Sequence, residues 1–271
     1  MIEAPPYLLI AALREELAPL SAGLESRTRL GSSAFGGVEG RLDRTPVRLV
    51  WTGEGPERAA RGMEHALVGD VRGPILILGV AGALSSALRV GDLVVAREVV
   101  ADGESMPAPA DALASALRWP GSREGIVTSV DRIVGDDRAR EELAASLPSG
   151  APACVDMESA TFVRTARARG FDCLVVRAVS DAVGDVLPSF LESSRRADGS
   201  IDRWQVALAA MRQPRTIPTL VALSRRLSHC AGELGRFARW WLDLQRSGHE
   251  NRASEKLPRR PVPRSADERR R

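Results

Sequence analysis

Two carboxylate motifs, Asp156-Met157-Glu158 and Ser180-Asp181, lie within one short stretch of this chain. The residues between them read as a helix followed by an apolar strand. Each motif therefore falls where a strand is predicted to end, which is where α/β enzymes gather their chemistry. Carboxyl groups in such places can exchange protons or stabilise a developing cation. A third candidate, Glu16, follows the first apolar run. Gly79-Val80-Ala81-Gly82 supplies small residues after another strand, where backbone N–H groups could approach an anion or a polar ligand. Arg177 sits inside an otherwise apolar strand and needs a partner, because an unpaired buried charge is costly. Its alternatives are a place at a nucleophile site or a structural salt bridge.

Other chemistries are excluded by what the chain lacks. Lys256 is the only lysine, so no lysine is available for a Schiff base or a phosphate-binding loop. The three histidines, His65, His229 and His249, are spaced for neither a His-based triad nor a zinc cluster, and no metal is expected. Cys154, Cys173 and Cys230 are an odd number without a CxxC pair, which reads as reduced thiols. No signal peptide or spanning segment is apparent, which predicts a cytoplasmic protein. The net charge is +3, but residues 246–271 alone carry nine Lys or Arg against four Asp or Glu. The enzyme-sized remainder is slightly acidic, so nucleic acid is not an expected partner.

Those residues must be positioned by alternating strands and helices. Tyr7–Ala12 reads as a first strand and 14–22 as a short helix. Phe35–Leu42 and Val47–Trp51 read as a hairpin. Pro56 opens a helix to Val68, preceded by Gly53-Glu54-Gly55, a turn able to receive an anion or merely to reverse the chain. Ile75–Leu78, 92–100, 125–129, 153–157 and 172–179 read as further strands. Helices are expected near Asp136–Ser146 and over Glu158–Arg169, the latter closed by Gly170. The pattern predicts a three-layer αβα fold around a mixed, mostly parallel twisted sheet. Residues 1–200 are expected to form the catalytic domain, 201–245 a helical extension and 246–271 a disordered basic tail. In the extension, Leu220, Leu227, Leu234 and Trp241 recur every seven residues, as do Leu223, Cys230, Phe237 and Leu244. This helix reads as packed on the sheet domain or on another subunit. Its arginines (Arg225, Arg226, Arg236, Arg239) together with Trp240 and Trp241 also suit a membrane surface.

The G-x-A-G-x-L and G-D-L-V-V block, with V-D-M-E and V-V-R-A-V-S-D, resembles the nucleoside phosphorylase and nucleosidase superfamily. The likeness is strongest to its methylthioadenosine/S-adenosylhomocysteine nucleosidase branch, over roughly Leu8 to Asp185. Beyond Asp181, Val186-Leu187-Pro188, Ala197-Asp198-Gly199 and 213–220 are similar to the C-terminal region of hopanoid-associated phosphorylases. That likeness implies cleavage of adenine from adenosylhopane. The resemblance implies a homo-oligomer that takes a small-molecule purine nucleoside and uses no cofactor, with inorganic phosphate as co-substrate if the reaction is phosphorolytic. By the same resemblance Asp181 acts on purine N7 with Ser180 holding it, Glu16 activates the nucleophile, and Met157 and Glu158 hold the ribose. Ile133 and Val134 cover the base. Gly79, Val80, Ala81, Gly82 and Arg177 line the nucleophile site.

Three departures bear on substrate and nucleophile. Val80 stands where nucleosidases commonly carry a serine. Ile133 stands where a phenylalanine usually stacks on the base. Leu78 lies where the hexameric phosphorylases carry a phosphate-gripping arginine, which favours water over phosphate. The expected reaction is cleavage of an adenine nucleoside with a bulky 5′ substituent. Alternatives are a phosphorolytic purine nucleoside phosphorylase, a methylthioadenosine/S-adenosylhomocysteine nucleosidase, and a nucleoside-binding protein without catalysis.

Overall fold

A computed structural model describes residues 4–31, 35–132, 134–148, 150–185 and 217–255. Ile133, the segment 186–216 with its Val186-Leu187-Pro188 and Ala197-Asp198-Gly199 motifs, and the tail 256–271 lie outside the described residues.

The strands are β1 (Tyr7–Ala11), β2 (Glu25–Gly31), β3 (Gly36–Leu42), β4 (Thr45–Trp51), β5 (Ile75–Ala83), β6 (Leu93–Ala101), β7 (Glu104–Pro107), β8 (Ser122–Ser129), β9 (Ala153–Asp156) and β10 (Cys173–Asp181). The helices are α1 (Ala18–Ala22), α2 (Pro56–Ala66), α3 (Ala110–Ala116), α4 (Asp137–Ala145), α5 (Ser159–Ala168) and α6 (Ile217–Glu255), with a 3-10 turn at Glu15–Leu17 ahead of α1. Parallel pairing runs from β4 through β1 and β5 to β10. From β10 the sheet continues through β6, β8 and β9 and returns to β5, closing a ring of five strands. β3 and β2 extend the other edge antiparallel.

The central strands are those whose sequences are apolar on both faces. Every residue of β1 and β10 is buried, as expected for strands covered on both sides. Gly170 closes α5 as predicted, with φ of 79° and with Phe171 N–H donating to Ala166 O. Pro56 starts α2, and Asp136 caps α4 by accepting Ala139 N–H at 2.8 Å.

β8 starts earlier than expected, at Ser122, and α2 ends earlier, at Ala66; two further differences are larger. β5 does not end at Leu78 but goes on pairing with β10 as far as Gly82, with a register slip after Ala81. The small residues are therefore part of the strand, not a loop. α6 runs on to Glu255, into the stretch read as disordered.

α6 packs on the sheet through Cys230, Leu234, Phe237, Trp241 and Leu242. Trp241 is fully buried, edge-on to Tyr7 with ring centroids 6.1 Å apart. Trp240 leans on Trp119 and Phe237. Arg226, Arg236 and Arg239 are paired with Asp185, Glu233 and Asp43. The aromatic pair thus faces the protein interior, and most of the arginine charge is neutralised in place. Neither group is arranged as an interfacial belt.

Candidate active site

The site is built where β1, β5, β9 and β10 end or cross. Among the described residues, six charged side chains are buried: Glu16, Arg140, Asp156, Glu158, Arg177 and Asp181. All six belong to this one cluster. Burying charge is unfavourable unless it is paired, so such a concentration marks a functional site.

Arg177 rises from the middle of β10 opposite Gly79 of β5. A Cβ at Gly79 would lie 1.7 Å from Arg177 Nη1 and 3.1 Å from Glu16 Oε1. Only glycine lets the guanidinium cross the strand toward Glu16. The rest of the Arg177 fork is satisfied: Nε and Nη2 donate to Ser159 Oγ at 3.1 and 2.8 Å, and Nη2 pairs with Asp156 Oδ2. Asp156 also accepts the Ser129 hydroxyl at 2.5 Å and the Ser159 N–H at the start of α5. Arg177 is thus in a buried salt bridge with Asp156, the structural alternative, with its Nη1 turned toward Glu16 across Gly79.

Glu16 takes the Leu13 N–H on one oxygen at 2.8 Å and the Val80 N–H on the other at 2.9 Å. The Val80 N–H, expected to face an anion, is thereby committed to a carboxylate of the protein itself. Burial pushes the Glu16 carboxyl up to about 7, against the opposing pull of Arg177 and the two backbone donors. Glu158 accepts the Gly55 N–H at 2.8 Å. The glycine turn ahead of α2, with φ of 86° at Gly53 and 94° at Gly55, turns its Gly55 N–H onto the Glu158 carboxyl. Burial, then the nearby Asp156, raise Glu158 to about 8. Four carboxyl groups against two guanidiniums leave two acids in excess; among the described residues Asp156 and Asp181 take the two salt bridges, and Glu16 and Glu158 are held by backbone N–H groups.

Asp181 ends β10 past a register slip between Val179 and Asp181. Its Oδ1 accepts the Ser180 hydroxyl at 2.6 Å, and its Oδ2 pairs with Arg140 of α4. Gly82 keeps this corner open, since a Cβ there would be 2.9 Å from Asp181 Oδ2. Ala81 O lies 3.3 Å from Ser180 Oγ. Val134 is half-buried and offers its carbonyl to Arg140 Nε at 3.1 Å. Met157 borders a cavity of about 560 Å³ that also touches Pro56, Val100, Val130, Leu143 and Leu147.

The sequence-predicted residues thus converge, apart from Ile133, which is not described. Sequence reasoning missed Arg140, Ser159 and Ser129 as members of the cluster. Arg140 lies in the polar stretch Asp-Arg-Ala-Arg-Glu-Glu, where nothing separates it from Arg138, which is exposed.

A model of the phosphorylase superfamily matches residues 6–210. The chain belongs to that superfamily. This superfamily member is 28% identical over 236 residues to the 5′-methylthioadenosine/S-adenosylhomocysteine nucleosidase of Geobacillus kaustophilus, covering 76% of this chain and 98% of that protein. It is 26% identical over 198 residues to the namesake enzyme of Actinobacillus succinogenes, covering 64% and 84%. Its fold matches the Neisseria meningitidis nucleosidase in complex with methylthio-immucillin-A, with a TM-score of 0.68 and 18% identity over 88% of this chain and 99% of that one. Helicobacter pylori futalosine hydrolase matches with a TM-score of 0.66 and 17% identity, covering 88% and 97%. The superfamily member is an enzyme of the nucleosidase and nucleoside phosphorylase class.

Proposed function

We propose that this enzyme hydrolyses the N-glycosidic bond of a purine nucleoside carrying a bulky 5′ substituent, releasing adenine. The observation that carries the reading is the gathering of six buried charges, Glu16 and Arg177 against Gly79, Asp181 and Arg140 against Gly82, with Asp156 paired to Arg177 and Glu158 held at Gly55. In this mechanism Asp181 acts in its protonated form: it gives its proton or a hydrogen bond to purine N7, and the C1′–N9 bond breaks with its electron pair leaving on the base. Glu158, with Met157 beside it, holds the ribose hydroxyls by hydrogen bonds. Glu16 takes a proton from water as the water oxygen bonds C1′. A carboxyl near 7 is well matched to that task at neutral pH. Ser180 steadies Asp181, while Val134 and Ile133 cover the base. No cofactor or metal takes part.

Water is favoured over phosphate because a phosphate dianion needs charge-assisted donors. Among the described residues each buried guanidinium already faces a carboxylate, and the Val80 N–H is taken by Glu16. The bulky 5′ group is supported by the cavity next to Met157 and Pro56. These residues adjoin Glu158 and Gly55, so the cavity opens where the ribose would be held. The likeness of 213–220 to hopanoid-associated phosphorylases makes an adenosylated hopanoid our specific candidate. In this reading the enzyme acts as a homo-oligomer. Membrane contact is left to the exposed first turns of α6, around Val221 and Arg225.

The test is base release from methylthioadenosine, S-adenosylhomocysteine, inosine and an adenosyl-lipid, each with and without phosphate. Release without phosphate, fastest from a substrate with a large 5′ group, is expected. Release from none would overturn the proposal, and strict phosphate dependence would overturn hydrolysis. Asp181→Asn is expected to lower kcat by about 10²- to 10⁴-fold, the usual contribution of a positioned acid.

A further inference from the structure

We propose that Arg140 is a positioning residue that holds the Asp181 carboxyl in its reactive orientation. This rests on the assignment of Asp181 to the base made above. α4 is a polar, largely exposed helix, and Arg140 is its one buried residue. Its guanidinium reaches three separate segments. Nε donates to Val134 O at 3.1 Å, in the strip that covers the base. Nη1 donates to Ala182 O at 3.2 Å, just past Asp181, and lies 3.4 Å from Ala83 O at the end of β5. Nη2 pairs with Asp181 Oδ2.

Asp181 is thereby held at both oxygens, by Ser180 on one side and Arg140 on the other. A carboxyl gripped at both oxygens cannot rotate about its own axis, so the proton it offers to purine N7 points in one fixed direction. Reacting groups held this way avoid the entropic cost of being found in the right geometry. Stability alone does not account for a guanidinium here, because an apolar side chain of similar volume commonly replaces a buried ion pair without loss when both charges go. Arg140 is 2% exposed and its three nitrogens are taken up by Val134 O, Ala182 O and Asp181, so it acts through the acid and not on substrate.

The experiment compares two leaving groups. A purine nucleoside needs acid help to depart, whereas p-nitrophenol leaves a riboside unaided. On a purine nucleoside, Arg140→Met is expected to lower kcat about 100-fold with little change in KM, and Arg140→Lys to recover part of that loss. On p-nitrophenyl riboside the same variants should stay within about 3-fold of wild type, since no protonation step is needed. In an Asp181→Asn background Arg140→Met should add no more than about 3-fold, because the two residues act as one unit. Equal losses on both leaving groups, or the full loss repeated in the Asp181→Asn background, would give Arg140 a merely structural role and end the proposal. If Arg140→Met does not fold, Arg140→Lys gives the same comparison. Wild-type protein that releases no base from any nucleoside would instead sink the proposed function itself, so the two failures are distinct.

Discussion

Replacing Glu16 with glutamine should change the stability of this protein in a direction that depends on pH. A carboxyl raised from 4.5 to about 7 by burial disfavours its ionised form in the fold by about 3 kcal/mol. Below pH 4.5 the group is protonated in both folded and unfolded chains and contributes nothing. As the pH rises from 4.5 to 7, the unfolded chain gives up the proton while the folded one keeps it, so stability falls. Above 7 both are ionised and the loss levels off. Glutamine never ionises and escapes this cost. It has one acceptor oxygen, however, for the two N–H groups of Leu13 and Val80, and forfeits about 1 kcal/mol at every pH. Glu16→Gln should therefore be less stable than wild type by about 1 kcal/mol at pH 4, and more stable by about 2 kcal/mol at pH 8.5. Urea denaturation at the two pH values measures both numbers. A difference that does not vary with pH, or that varies in the opposite sense, would refute the reasoning about Glu16. Base release by the variant should fall about 10²-fold or more, as for loss of a general base.

Arg177→Met should destabilise the protein by about 3–5 kcal/mol, because it leaves Asp156 buried without its cation; a change below 1 kcal/mol in chemical denaturation would contradict the central role given to that pair. Trp241→Ala should cost about 3–5 kcal/mol through the cavity left against Tyr7, with KM for the nucleoside unchanged. Thermal melting and steady-state kinetics would check the two halves of that statement.

The elements legible in the sequence were those with strong apolar signals. β1, β5 and β10 are runs of large aliphatic residues buried on both faces, and nothing else fits such runs. The elements that escaped notice carry no such signal. β2 (Glu-Ser-Arg-Thr-Arg-Leu-Gly) is an edge strand exposed along almost its whole length, so neither face needs to be apolar. β7 turns only Met106 inward, and α3 is a short run of small residues. The same contrast holds within the site. Asp156, Glu158 and Asp181 stand out because polar residues interrupt apolar strands. Arg140 comes from a polar helix, where one more arginine looks like solvent-facing decoration. The extension of β5 through Gly79–Gly82 was hidden because glycine weakens a strand in isolation. Here β10 and β9 pair with it, and two functional side chains fill the space above the glycines.

The contact between Tyr7 and Trp241 bears on how the chain folds as it is made. The face of β1 that carries Tyr7 and Leu9 is covered by residues of α6, which are translated long afterwards. The central strands must therefore wait, with one apolar face bare, until the last part of the sequence emerges. Long-range closure of this kind slows folding and lengthens the exposure of aggregation-prone surface. During synthesis α6 behaves as a late-arriving cover for the sheet, and a ribosome stalled before residue 230 would present a nascent enzyme with its catalytic strands made and their outer face still seeking a partner.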